Sequence, residues 1–250
     1  MSEYRLKLAA MLSGALLYSS ISIAADAPDK APLSIVVTPT RTAQTADASL
    51  ASVSVVNRAQ IEQRQSRTIA DALSGLPGLD FSVNGGRGTA SQVFMRGTES
   101  DHVLVLVDGV KIGSATLGQS PFEHLPISQI ERIEVVRGPR SSLYGSEALG
   151  GVIQIFTRKG GGKLAPSFSV TGGSHETGEA TVGLSGGGAN SWFNLSASGT
   201  DTQGINACRG VLNRAGCFVN EPDKDAYRSV SGNARAGMRF ENGAELDAHW

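Results

Sequence analysis

Val136-Arg137-Gly138-Pro139-Arg140-Ser141-Ser142-Leu143-Tyr144-Gly145 reads as an apolar strand that ends on an arginine, turns sharply and opens a short helix. Gly138-Pro139 forces the turn, since proline fixes its own φ and has no N–H to continue a ladder, and Ser141 or Ser142 can cap the helix beyond it. Arg96-Gly97-Thr98 repeats the device earlier in the chain, with arginine at the end of another apolar stretch. Solvated charge would account for any one of these arginines. What they face depends on the elements before and after them.

Upstream, Val53-Ser54-Val55-Val56 is strand-like and Asn57-Arg58-Ala59-Gln60 has the form of a capping box opening a helix. Ser66 can cap a second helix whose Ile69, Ala72 and Leu73 share one face and whose end is marked by Gly75 and Pro77. Leu79, Phe81 and Val83 alternate as a half-buried strand, and Asn84-Gly85-Gly86-Arg87-Gly88 must be a loop. The clearest local signal is Val103-Leu104-Val105-Leu106-Val107-Asp108-Gly109-Val110-Lys111-Ile112. There Asp-Gly between two apolar β runs predicts a hairpin with a type I′ turn.

Downstream of Gly160-Gly161-Gly162 the pattern changes to strands with one apolar face. Phe168 and Val170 alternate with Ser167, Ser169 and Thr171; Ala180, Val182 and Leu184 alternate with Thr181, Gly183 and Ser185. Phe193, Leu195 and Ala197 continue the dyad, followed by Val230, Ala234, Ala236, Met238 and Phe240, and then by Leu246, Ala248 and Trp250. The connectors at 186–190 and 241–243 are tight turns, whereas 200–227 is long. Apolar-out, small-polar-in strands with turns at one end and longer loops at the other describe an outer-membrane barrel, although a soluble β-sandwich shares the dyad. The hydroxyl-rich inner face suits a polar lumen better than a packed core. Four strands and the start of a fifth do not close, because barrels take at least about eight and plugged transporters about 22. The sequence is therefore expected to be the amino-terminal part of a longer chain.

The start of the chain points the same way. Arg5 and Lys7, an apolar core over residues 8–17 and the small-residue tail Ser22-Ile23-Ala24-Ala25 have the layout of a secretory signal peptide over residues 1–25. A spanning helix would need about 20 apolar residues, roughly twice this core. Export to an oxidising compartment makes a local disulfide between Cys208 and Cys217 the expected state rather than two free thiols.

With 22 basic and 23 acidic residues the net charge is −1, so no global field draws nucleic acid. Gly85-Gly86-Arg87-Gly88 and Gly160-Gly161-Gly162-Lys163 lack the spacing of a phosphate loop. His102, His124, His175 and His249 are scattered, and no nucleophile elbow or Cys/His pair is present. An enzyme has no residues to stand on here.

Taken in order, Ala70-Asp71-Ala72-Leu73 to Pro77-Gly78, Leu104-Val105-Leu106-Val107-Asp108-Gly109-Val110, the opening decapeptide and Ala148-Leu149-Gly150-Gly151-Val152-Ile153-Gln154-Ile155 resemble the plug of TonB-dependent outer-membrane receptors. The resemblance covers almost all of the chain after the signal. It implies an α+β plug domain followed by the first antiparallel strands of a transmembrane β-barrel. The divisions are then a signal peptide (1–25), a TonB-box segment and linker (26–50), the plug (51–160), and the first four to five barrel strands (163–250). Inside such a barrel, Arg96, Arg137 and Arg140 would pair with wall carboxylates, as a guanidinium favours bidentate contacts.

Within the family the likeness is greatest to the cobalamin (vitamin B12) receptors. It implies binding of cobalamin or a related corrinoid by plug apices, here Asn84, Gly85, Gly86 and Arg87 with Ser114, Thr116, Gln119 and Ser120. A ferric siderophore, haem or another metal chelate is the alternative cargo, and a stand-alone periplasmic binding module is the alternative from another class. The likeness also implies calcium in an early extracellular loop, where Asp223 and Asp225 stand at alternate positions, though Lys224 lies between them and Ala226 replaces a glycine. No other cofactor is implied.

Leu33-Ser34-Ile35-Val36-Val37-Thr38, bounded by Pro32 and Pro39, is a β-branched run without an obvious sheet. It resembles the TonB box, which implies that these residues add as a strand to an open sheet edge of TonB, the periplasmic arm of an inner-membrane energising complex. A plain linker or an extra plug strand is the plainer reading, and a passive porin would have no use for the segment.

Overall fold

The computed structural model describes residues 36–37, 44–45, 51–83, 85–114, 118–209, 218 and 223–250. All of them belong to the compact unit Ile35–Trp250. The expected signal peptide, and Leu33, Ser34, Ile35, Thr38, Asn84, Thr116 and Cys217, lie outside the described residues.

Two short strands come first, β1 (Val36–Val37) and β2 (Gln44–Thr45). They pair antiparallel, Val36 opposite Thr45 and Val37 opposite Gln44, so these two valines find a strand of their own chain. Next come β3 (Ser52–Asn57) and α1 (Arg58–Gln63). Asn57 Oδ1 accepts from Gln60 N at 2.9 Å and Gln60 Oε1 accepts from Asn57 N at 3.0 Å, which closes the expected capping box. Helix α2 (Ile69–Leu73) is capped by Thr68, where Ser66 had been expected. Asp71 stands three residues after Thr68 and completes a reciprocal box that Ser66 cannot make, and Ser66 Oγ is left buried without a partner.

Strands β4 (Leu79–Val83) and β5 (Ser91–Met95) form a separate two-stranded ladder. The hairpin of β6 (Val103–Val107) and β7 (Val110–Lys111) turns at Asp108 (φ 48°) and Gly109 (φ 86°), the paired positive φ of a type I′ turn. After β8 (Ile130–Arg137), the short helix α3 (Ser141–Tyr144) starts from Arg140 with no side-chain cap, so neither Ser141 nor Ser142 acts as one. Strand β9 (Gly151–Thr157) completes a five-stranded sheet of order β3-β8-β9-β6-β7, with β6 and β9 parallel. Ile133, Val135, Ile153 and Ile155 pack with Ile61, Ile69 and Leu73, while Leu104, Leu106, Val136 and Val152 form a second cluster. Apolar packing on both faces explains why Val103–Val107 is continuously hydrophobic rather than alternating.

Strands β10 (Ala165–Gly173), β11 (Thr177–Gly187), β12 (Ser191–Thr202), β13 (Tyr227–Arg239) and β14 (Glu245–His249) form an antiparallel sheet in sequential order. One face exposes Phe168 (85%), Val170 (79%), Val182 (59%) and Val230 (84%). The other carries a row of hydroxyls, Ser198 meeting Ser231 at 2.7 Å, and the buried polar residues Asn194 and Arg235. A contiguous apolar face of this kind belongs against lipid, with the polar face turned to the plug.

Candidate functional site

Among the described residues, ion pairs join the wall to the plug at two places. Near the tight turns, Arg235 Nη1 donates to Asp108 Oδ1 at 3.1 Å, to Thr157 O at 3.0 Å and to Thr157 Oγ1 at 3.0 Å. Its Nε and Nη2 reach Asp247 of β14 at 3.0 and 2.8 Å. Asp108 also accepts from Thr157 N at 3.1 Å, so one turn carboxylate joins the hairpin, the end of β9 and the wall. Two residues on, Lys159 pairs with Glu245 and lies 3.7 Å over the Trp192 ring, while Glu245 also accepts from Arg239. The exit of the plug is thus pinned across β12, β13 and β14 by charge-assisted bonds, the stronger class of hydrogen bond.

At the other end of the wall, beside the long 203–226 connection, the loop at 85–89 touches β11 and β13. Arg87 Nη2 donates to Glu179 Oε2 at 2.8 Å and to Arg67 O at 3.3 Å. Gly88 (φ 82°) lies so close to Tyr227 that a Cβ there would stand 2.1 Å from the ring. Beneath this contact a cleft of about 110 Å³ is lined by Arg67, Glu123, Glu179, Ser229 and Ser231 among others.

Of the residues expected to meet cargo, Gly85, Gly86 and Arg87 stand in this loop, with Arg87 turned to the wall. Ser114, Gln119 and Ser120 belong to a second loop, closed by Ser114 N to Gln119 O at 2.8 Å and Ser120 Oγ to Ile112 O at 3.2 Å. The cleft is lined by Gly86 and Arg87 but not by Ser114, Gln119 or Ser120.

Among the described residues, no wall carboxylate lies within ion-pair range of Arg96, Arg137 or Arg140. Arg137 instead donates from Nε to Pro77 O at 2.6 Å, and its Nη2, like Arg140 Nε, is buried without a partner. Burial, with Arg96 close by, pulls the Arg137 guanidinium below its ordinary pKa. Arg137 and Arg140 thus each keep a buried donor without a partner, which suits an anionic partner, while Arg96 beside Arg137 is exposed. The ion pairs that do join plug and wall run through residues that sequence reasoning missed, namely Asp108, Lys159, Glu179 and Arg235. Charged residues at inward positions of an otherwise hydroxyl-rich face were the available signal for Glu179 and Arg235.

In the long connection, Cys208 is disulfide-bonded. Asp225 Oδ2 accepts from Ala207 N at 2.8 Å, and Asp223 is exposed. A calcium shell takes about six to eight oxygens, so these two carboxylates, one already engaged, do not constitute one by themselves. No group of three or more potential ligating residues occurs among the described residues.

A plug-like α+β unit pinned inside the polar face of an antiparallel, lipid-facing wall defines a TonB-dependent receptor. Residues 45–152 match the family model described as "TonB-dependent Receptor Plug Domain". Residues 45–152 thus form a plug domain of this receptor family. It is 53% identical over 123 residues to the vitamin B12 transporter BtuB of Vibrio vulnificus, covering 49% of this chain and 20% of that protein. With the vitamin B12 transporter BtuB of Photobacterium profundum it shares 35% identity over 217 residues, 86% of this chain and 33% of the relative. The chain thus spans a fifth to a third of the length of these curated relatives. Among solved structures, the pyoverdine outer membrane receptor FpvA of Pseudomonas aeruginosa superposes with a TM-score of 0.68 at 17% identity, over 86% of this chain and 29% of that one. A variant of the ferric enterobactin receptor PfeA from the same organism gives 0.62 at 23%, over 79% and 32%.

Proposed function

We propose that this chain is part of a TonB-dependent transporter that takes up cobalamin or a related corrinoid across the bacterial outer membrane. The observation that carries the cargo is the similarity of plug and first wall strands to vitamin B12 transporters. The siderophore receptors share the fold at lower identity and do not bear on cargo. Cargo binds from outside at the apical loops through Asn84, Gly85, Gly86 and Arg87 and through Ser114, Thr116, Gln119 and Ser120, whose backbone and hydroxyl groups suit a large polar ligand. Binding then alters the plug, TonB takes the β-branched segment at residues 33–38, and the inner-membrane complex drives plug rearrangement. No bond in the cargo is made or broken, as befits a receptor family rather than an enzyme family.

In the same proposal Arg96, Arg137 and Arg140 pair with carboxylates on wall strands other than β10–β14. The partner of Cys208 is Cys217, the one other cysteine of the sequence. Calcium bound through Asp223 and Asp225 remains a subsidiary proposal, checked by whether a chelator lowers cargo affinity.

Titrating the full-length receptor in detergent with cyanocobalamin tests the assignment. Submicromolar binding is the expected result. Binding of an iron chelate with no binding of cyanocobalamin would replace the cargo and leave the transporter class standing.

A further inference from the structure

The plug loop at 85–89 and the neck of the long connection 203–226 are in direct contact, and the contact is built from both sides. On the plug side, Thr89 Oγ1 closes the loop onto Gly86 O at 2.8 Å. Gly88 adopts φ 82° with its backbone against the Tyr227 ring, and Gly86 approaches Asp225 O. On the wall side the neck is zipped shut. Asp225 N donates to Ile205 O at 2.9 Å, Asp225 Oδ2 accepts from Ala207 N at 2.8 Å, and Gly204 lies so close to Asp225 O that a Cβ there would stand at 1.9 Å. Gln203 N donates to His175 O at 3.0 Å, and Thr202 Oγ1 meets Thr177 Oγ1 at 2.7 Å, tying the neck to the β10–β11 turn. The disulfide-bonded Cys208 follows Ala207 directly.

Arg87 and Glu179 complete the contact at 2.8 Å, with side chains only 20% and 21% exposed. The pair is a single hydrogen bond rather than a bidentate fork, and Arg87 Nη1 is buried without a partner. Such a pair holds two elements together yet opens with the loss of one bond, which suits a joint better than a permanent seam.

We propose that Tyr227, with Glu179 beside it on β11, is a positioning residue of a clamp that holds the plug apex 85–89 against the wall rim at 202–209 and 223–227, so that apex and rim loosen as one unit. The disulfide at Cys208 then stiffens the apex, and displacement of the apex by cargo is transmitted to the rim. The cargo half of this inference rests on the transport function proposed above; the mechanical half does not.

Hydrogen–deuterium exchange of the ligand-free full-length receptor tests the mechanical half. Glu179→Gln and Tyr227→Ala should each raise exchange about threefold or more in both 85–91 and 203–209 while leaving β8 and β9 unchanged. Tyr227→Phe keeps the ring and should behave as the parent. Reducing the disulfide should raise exchange at 85–91, where no residue has been altered. Exchange that rises only beside the substituted residue, or a Tyr227→Phe variant as loose as Tyr227→Ala, would overturn the clamp. Titration with cyanocobalamin follows: the two loosening variants should bind about tenfold more weakly, and unchanged affinity would refute the positioning role. A parent receptor that ignores cyanocobalamin but shows the linked exchange would refute the cargo and leave the clamp intact.

Discussion

Asp108 and Arg235 meet at 3.1 Å across the boundary between plug and wall, with only 5% and 10% of their side chains exposed. Asp247 completes the set from β14, its carboxylate 2.8 Å from Arg235 Nη2. Arg235→Ala removes the cation from between two shielded carboxylates, and breaking a buried pair from one side costs about 3–5 kcal/mol. Asp108→Asn should cost less, about 1–3 kcal/mol, because the amide oxygen still accepts from Thr157 N. The expected order of protease sensitivity of the plug in folded receptor is Arg235→Ala, then Asp108→Asn, then parent. Cells carrying Arg235→Ala should also become sensitive to a large hydrophilic antibiotic that the parent excludes.

The β-branched segment at residues 33–38 makes a different kind of test. Val36 and Val37 pair with Thr45 and Gln44 over two residues only. A two-stranded pairing that short is marginal in water, so an incoming edge strand can displace it. Deleting residues 33–38 should abolish energised uptake of cyanocobalamin while leaving its binding to outer membranes unchanged. Normal uptake by the deletion would refute the strand-addition reading.

Two changes inside the plug separate backbone strain from packing. Gly109 stands at φ 86°, where a Cβ meets nothing within 4 Å, so Gly109→Ala costs strain alone, about 1 kcal/mol. Ile153, fully buried between β6 and β8, should lose about 2–5 kcal/mol on Ile153→Ala through lost burial and the cavity left behind. Plug proteolysis on warming should therefore begin at distinctly lower temperature for Ile153→Ala than for Gly109→Ala.

The lipid face can be checked by depth-dependent charge. Phe168 is 85% exposed on β10, one residue from Ser169 on the opposite face. Phe168→Arg places a cation in hydrocarbon at about 2–4 kcal/mol near the midplane, whereas Ser169→Arg enters the polar side. Reduced outer-membrane recovery of heat-modifiable, folded receptor is expected for the first and not for the second. Equal recovery would argue against the assigned faces.

Local chemistry made most elements legible. Asp108-Gly109 between apolar runs announces its own turn because few residues tolerate consecutive positive φ, and the dyad in β10–β14 announces an apolar and a polar face because side chains alternate along a strand. Caps were less certain. Ser66 and Thr68 are both competent acceptors, and only the position of Asp71 three residues beyond Thr68 decides between them. The parallel pairing of β6 with β9 has no local signature, since it joins residues 48 apart, as Val105 opposite Ile153 shows.

The candidate site divides along the same line. Sequence alone determined an exported-looking, TonB-receptor-like chain with arginine-tipped plug strands, glycine-rich apical loops and a β-branched segment at 33–38, because each is a property of residues adjacent in the chain. Only the tertiary structure decided which charges face one another. Arg87 turns to Glu179, Arg235 rather than a plug arginine bridges to Asp108, and Arg137 lies against Pro77 O. Ion pairs between two folded layers depend on register and depth. A charge read along the chain carries neither until the layers have packed.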